Sequence, residues 1–193
     1  YDSVVNTTDG FDPIGDSTTA FTGTFNGSSH TISELYNNRS TEDYVGLFGN
    51  VSGGSIKNVA LEKSNITGDE FTGSLVGENN GTVTDSSATG TVIGTNQVGG
   101  LVGQNDGTVI TSSATTNVTG EVPVGGLVGD NDEGTVTTSS ATGNVTGDAS
   151  VGGLVGIHSG IVNASYATGD VTGIGNGAGG LIGRNQGTVT DVY

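Results

Sequence analysis

The chain repeats itself, and the period limits the folds open to it. The pentapeptide GGLVG, or a near copy of it, places a leucine at Leu47, Leu75, Leu101, Leu127, Leu154 and Leu181, at intervals of 28, 26, 26, 27 and 27 residues. A fixed period of this length marks a repeat architecture, in which a unit too short to bury its own apolar face buries it against its neighbours. A degenerate unit, FTGTFNGSSHTISEL, precedes the first copy, with Phe25 in the anchor place. FDPIGD reads as part of a still earlier unit.

Inside a unit the pattern suits strands. Runs such as TVITSSA and TTNVTG alternate and are rich in Val and Thr, and no stretch shows apolar residues at helical spacing. Asn79 to Gly81, Asn105 to Gly107 and Asn185 to Gly187 read as turns, because Asn and Gly tolerate positive φ. The expectation is an all-β chain: a parallel β-helix (β-solenoid) of about seven coils of 26–28 residues, with three short strands each. Stacked at ~4.8 Å per coil, the units align into columns. Leu75, Leu101, Leu127, Leu154 and Leu181 form one core ladder, and Val83, Val109, Val136, Val162 and Val189 continue a second from Ile56. Ile66, Val92, Val118, Val145 and Val171 form a third, and Ala88, Ala114, Ala141 and Ala167 fill a narrow corner. Residues 1–43 are expected to be degenerate coils and a partial cap, and residues 44–193 the regular repeats. Aligning Thr188 with Ile161 and Tyr193 with Tyr166 predicts an array cut in mid-coil. With Tyr1 in place of Met, that suggests a processed chain or a piece of a longer one.

Composition alone pulls another way. Hydrophobic residues make up 31% of the chain and glycine fills 37 positions, which leans toward a disordered linker. Linkers do not hold register over six units, however. A β-propeller needs blades of about 40 residues. The formal charge of −16, from 20 acids against 4 bases, argues against nucleic acid and anionic membranes as partners. It suits solution at high salt, where the repulsion is screened. Cysteine is absent, so disulfides are excluded, and no apolar run has the length of a membrane-inserting span.

The repeated GGLVG, followed by NxGTVTxSSATGxVTG, resembles the GLUG repeat. GFDPIGD, FTGTFNGSSHTI and YVGLFG resemble the stretch that often opens such arrays, so the match covers nearly the whole chain. Ser74 stands where the core has glycine, and Ala178 where it usually has Val. The resemblance implies large secreted or cell-surface proteins of bacteria and archaea. It implies a β-helical stalk or adhesive region beside other domains, and it carries over no catalytic residues.

Reactive side chains are sparse. Arg39, Lys57, Lys63 and Arg184 are far apart, as are His30 and His158, so no acid–base constellation is evident and no enzyme activity or cofactor is expected. His158 replaces the usual Asn and reads as a turn residue. Asp130, Asp132 and Glu133 are weak Ca²⁺ candidates, because oxygen ligands at alternate positions can hold that ion, but the twelve-residue loop is missing and a solvated acidic turn is the simpler reading. Thr82/Thr84, Thr135/Thr137 and Thr188/Thr190 would form threonine ladders like those of ice-binding solenoids, broken by Ile110, Ile161 and Asn163. Candidate N-glycosylation sequons lie at Asn6, Asn26, Asn38, Asn50, Asn65, Asn80, Asn117, Asn144 and Asn163. Asn65, Asn117 and Asn144 share a column that alternation turns outward. The expected function is an extracellular or cell-surface structural and adhesive solenoid, part of a long protein, stalk or filament. Its partners would be further copies end to end, flanking domains, or surface glycans. The alternative is a carbohydrate-binding or carbohydrate-processing β-helix, which needs exposed aromatics and an acid pair on one face; the candidate aromatics Tyr36, Tyr44, Phe71 and Tyr166 do not line up with such a pair.

Overall fold

A computed structural model describes residues 8–193. Asn6 and the first residues of the expected cap lie outside that range. The described chain is all strand and turn, with parallel strands stacked into a β-solenoid of about six turns. Consecutive units join leucine to leucine: Leu75 N–H donates to Leu101 O (3.0 Å), Leu101 to Leu127 (3.0 Å), Leu127 to Leu154 (2.9 Å) and Leu154 to Leu181 (2.8 Å). This parallel ladder gives the backbone of the described inner coils its hydrogen-bond partners.

Alternation along each strand turns one side chain in and the next out. Ile56, Val83, Val109, Val136, Val162 and Val189 are paired in register, and all but Val189 are fully buried. Ile66, Val92, Val118, Val145 and Val171 pair likewise. The alanine column widens toward the N-terminal end, where Leu61 lies under Ala88 and Ile32 under Leu61. Two further apolar columns complete the core. One runs Phe48, Val76, Val102, Val128, Val155, Ile182. The other runs Val45, Thr72, Val98, Val124, Val151, Ala178. The small side chains give a thin core repeated coil after coil, which is how a chain so poor in large apolar residues still buries them.

Each turn is cut more finely than three strands. Val102–Asn105, Thr108–Ile110, Ser113–Thr119 and Val124–Gly125 make one turn, and in the next the third segment splits into Ser140–Ala141 and Val145–Gly147. The cuts are corners. Asn58, Asp85, Thr111, Thr138, Ala164 and Asp191 occupy one corner column, all with φ between 48° and 54°. Residues with a Cβ rarely adopt this left-handed conformation, and the sharp change of direction requires it in every coil.

The N-terminal units differ from the expected alignment. Phe25 pairs with Ile56, not with a leucine anchor, and Ile14 bridges to Phe48 while Phe21 bridges to Val51. FDPIGD and FTGTF therefore belong to one coil. A register shift between Asn26 and His30 absorbs extra residues there and defeats counting by period. Phe21 and Phe25 pack on Phe48, with ring centroids 5.0 and 5.3 Å apart, and fill the N-terminal end of the core.

Candidate functional site

The GEN, GQN and GDN segments of successive units place a polar side chain inside the solenoid. Asn79, Asn105, Asn131 and His158 are all fully buried. Asn79 Nδ2 donates to Asn105 Oδ1 at 2.7 Å, and Asn105 Nδ2 to Asn131 Oδ1 at 2.6 Å. Asn131 Nδ2 then meets His158 Nδ1 at 3.1 Å, and His158 Nε2 meets Thr188 O at 3.2 Å. Because the amide nitrogen can only donate, Nδ1 accepts and Nε2 carries the proton, so His158 is neutral. Burial holds its pKa below the ordinary histidine value, against the raising effect of carbonyl contacts from Thr188 and Asn131. His158 is thus a rung of an internal polar ladder and not a turn residue.

The turn beside this ladder has a different cause from the one expected. Asn79, Asn105, Gly81 and Gly107 do not have positive φ. Instead the inward Asn closes the turn with its own side chain: Asn79 Oδ1 accepts from Gly81 N–H at 3.2 Å, and Asn105 Nδ2 donates to Gly107 O at 3.3 Å. Glycine is needed because the coils touch there. A Cβ on Gly107 would collide with the carbonyl oxygen of Gly81.

A second buried ladder uses the first serine of SSAT, or of SYAT at Ser165. Ser86, Ser112, Ser139 and Ser165 each donate to the carbonyl two residues earlier, at 2.8–2.9 Å. Each also accepts a backbone N–H from the coil before it, as Ser112 does from Ser86 and Ser139 from Ser112. These hydroxyls satisfy the backbone at the left-handed corner. Ser74, in place of glycine, is buried and bonded to Ser64 Oγ at 3.2 Å.

The candidate Ca²⁺ residues do not converge. Asp132 accepts from Ser159 Oγ at 2.8 Å, and Glu133 is exposed on a left-handed turn. Asp130 is partly buried and its Oδ1 has no partner. Desolvation, followed by repulsion from Asp132 and Asp106, pushes its pKa up to about 6. Among the described residues no group of three or more His, Asp or Glu side chains is placed to hold a metal ion. Arg39 serves locally, contacting Asp12 at 3.3 Å and Glu42 at 2.8 Å. His30 is exposed and touches Gly27 O, several coils from His158.

The sequons divide by environment. Asn26, Asn38, Asn65, Asn80, Asn117 and Asn144 are exposed, whereas Asn50 and Asn163 are partly buried. Asn50 Nδ2 is held by Glu78 at 2.6 Å. In the shared column, Asn117 Oδ1 accepts from Asn144 N–H and Asn144 Oδ1 from Asp170 N–H, both at 3.1 Å. Of the aromatic candidates, Tyr44 stacks on Phe71 (4.8 Å) and Tyr166 on Tyr193 (5.6 Å, planes within 2°). Acids surround the first pair: after desolvation, Glu78, Asp43 and Glu70 raise the Tyr44 pKa.

The chain is 44% identical over 93 residues to Halomucin of Haloquadratum walsbyi, a match covering 46% of this chain and 1% of that protein. It is 40% identical over 82 residues to a Gly-rich membrane protein of Evansella cellulosilytica, covering 40% of this chain and 10% of that protein. The chain thus spans only a small part of these relatives. No family model matches it, and no solved structure matches it.

Proposed function

We propose that the chain is one stretch of a long cell-surface protein of the GLUG type, in which the solenoid acts as a non-catalytic stalk or filament segment. The observation that carries this reading is the continuity of the columns. The same side chains recur in register through the inner coils, and even the buried polar groups, Asn79, Asn105, Asn131 and the serines, are spent on joining one coil to the next. The relatives support it: one is named Halomucin and the other a Gly-rich membrane protein, and each is far longer than the match. An excess of acids over bases suits an exposed, hydrated surface in salt.

End-to-end docking of copies, a heterologous contact that propagates a filament, is part of this proposal. Sedimentation of the 193-residue chain tests this part. Association that grows with concentration, and that disappears when a capping helix is fused after Tyr193, is expected; a clean monomer at high concentration refutes it. Location is tested with antibody to the chain on intact and on broken cells. Labelling of intact cells is expected, and labelling only after lysis refutes a surface role.

A further inference from the structure

Beyond the structural role, and independent of it, we infer that the corner groove between Thr138 and Tyr166 binds a neutral oligosaccharide. The groove has a volume of about 310 Å³, and Thr111, Ser113, Thr138, Ser140, Tyr166 and Tyr193 are among its lining residues. It runs along the solenoid axis. Thr111 and Thr138 stand on the left-handed corner of successive coils, and Ser113 pairs with Ser140, which pairs with Tyr166.

Three features point to a sugar. First, the wall offers unspent hydroxyls. Ser112 and Ser139 commit theirs to the internal ladder, but among the described residues the hydroxyls of Thr111, Ser113, Thr138 and Ser140 make no hydrogen bond within the protein. Each can donate once and accept twice, the same pattern a sugar hydroxyl presents, and successive pairs are set ~4.8 Å apart by the coil repeat. The ladder beneath them fixes the wall, so little ordering is required on binding.

Second, one end of the groove is aromatic. The column that holds Ser87, Ser113 and Ser140 switches to Tyr166 at the next coil. Tyr193 covers one face of that ring in a parallel stack, which leaves the other face turned toward the Ser140 coil. An aromatic face beside hydroxyls suits a pyranose, which has an apolar C–H face and a polar rim. The volume lies at the lower end for small-molecule sites, enough for about one or two sugar rings.

Third, charge selects the class. The lining contains no Lys, Arg, Asp or Glu, and Asp191 stands on the corner one coil above Ala164, a lining residue. With a net charge of −16 behind it, the groove disfavours anionic glycans. The Tyr44–Phe71 stack lacks this neutrality, since Asp43, Glu70 and Glu78 crowd it.

The test is amide chemical-shift mapping by NMR on the full chain, titrated with cellotetraose, mannotetraose and tetragalacturonate up to about 10 mM, the weak end of specific binding. A neutral tetrasaccharide is expected to move the resonances of Thr138, Ser140 and Tyr166, and tetragalacturonate to leave them still. Tyr166→Ser restores the residue this column carries elsewhere, so the fold should persist, as its melting temperature will show. Its affinity should fall about tenfold. Ser140→Ala should weaken binding by a smaller factor. The inference is overturned if neither neutral sugar moves these resonances, if Tyr166→Ser binds as tightly as the parent, or if tetragalacturonate binds as well as the neutral sugars. Any of these failures leaves the stalk reading untouched.

Discussion

Replacing Asn105 by Ala should cost more than its polar character suggests. The side chain is fully buried, accepts from Asn79 Nδ2 at 2.7 Å and donates to Asn131 Oδ1 at 2.6 Å. Truncation removes both bonds, together with the one from Nδ2 to Gly107 O, and orphans a donor on one side and an acceptor on the other. An unsatisfied buried group costs ~1–3 kcal/mol, so the pair costs about 2–6 kcal/mol. Asn79 Nδ2 retains long contacts of 3.5 Å to Gly81 O and Thr108 O, which moves the expectation to about 3–4 kcal/mol. For a chain of this size that lowers the melting temperature by roughly 6–16 °C. Thermal unfolding followed by far-UV circular dichroism gives the shift. Hydrogen exchange of the amides in the neighbouring coils shows where it acts, since repeat proteins open locally. Thr108→Ala, a half-buried change in the same coil, should stay within about 0.5 kcal/mol. A melting temperature for Asn105→Ala equal to that of Thr108→Ala would refute the idea that the ladder stabilises the core.

Val136→Asp should unfold the middle of the array, because Val136 is fully buried between Val109 and Val162 and an unpaired charge there costs more than about 4 kcal/mol. Thr135→Asp, one residue away on the outer side, should be mild in the same melting assay. Two titrations oppose each other. His158 has a lowered folded pKa, so the unfolded chain binds more protons just below the ordinary histidine value and stability falls as pH drops through that window; His158→Asn should remove the loss in pH-dependent melts. Asp130, with its pKa raised to about 6, binds more protons when folded, so its penalty grows as pH rises from the ordinary carboxylate value to about 6. Asp130→Asn should therefore raise the melting temperature at pH 7 and leave it unchanged at pH 4. With net charge −16, the melting temperature should climb as NaCl rises to molar levels, where the screening length shrinks to ~3 Å. A flat profile would remove the argument for a salt-rich setting.

The apolar columns were legible in the sequence because alternating aliphatic side chains recur at a nearly fixed interval. Leu101, Val109 and Val118 could be assigned to stacked ladders without any contact being known. The polar interior was not legible. Asn105 next to Gly107 has the composition of a surface turn, and only the stacking of one Asn on the next makes its burial tolerable. His158 was misplaced for the same reason, although its substitution for Asn at a fixed place in the unit was the available signal. The serine ladder left no trace, since Ser112 and Ser113 look alike and only the corner geometry turns one inward. Phe25 escaped because an irregularity between Asn26 and His30 broke the count. The groove at Tyr166 needed the fold itself, which brings the corners of successive coils side by side.

The leucine-to-leucine bonds that join one coil to the next run between coils separated by ~4.8 Å. A 27-residue unit, pulled straight, would span ~90 Å. Each coil therefore stores almost twenty times its own height in slack chain. Tension along the axis draws on every hydrogen bond of one interface at once, and when that interface yields, one coil pays out while those behind it keep their register. Pulled along its axis, such a solenoid should therefore lengthen in steps, one coil at a time.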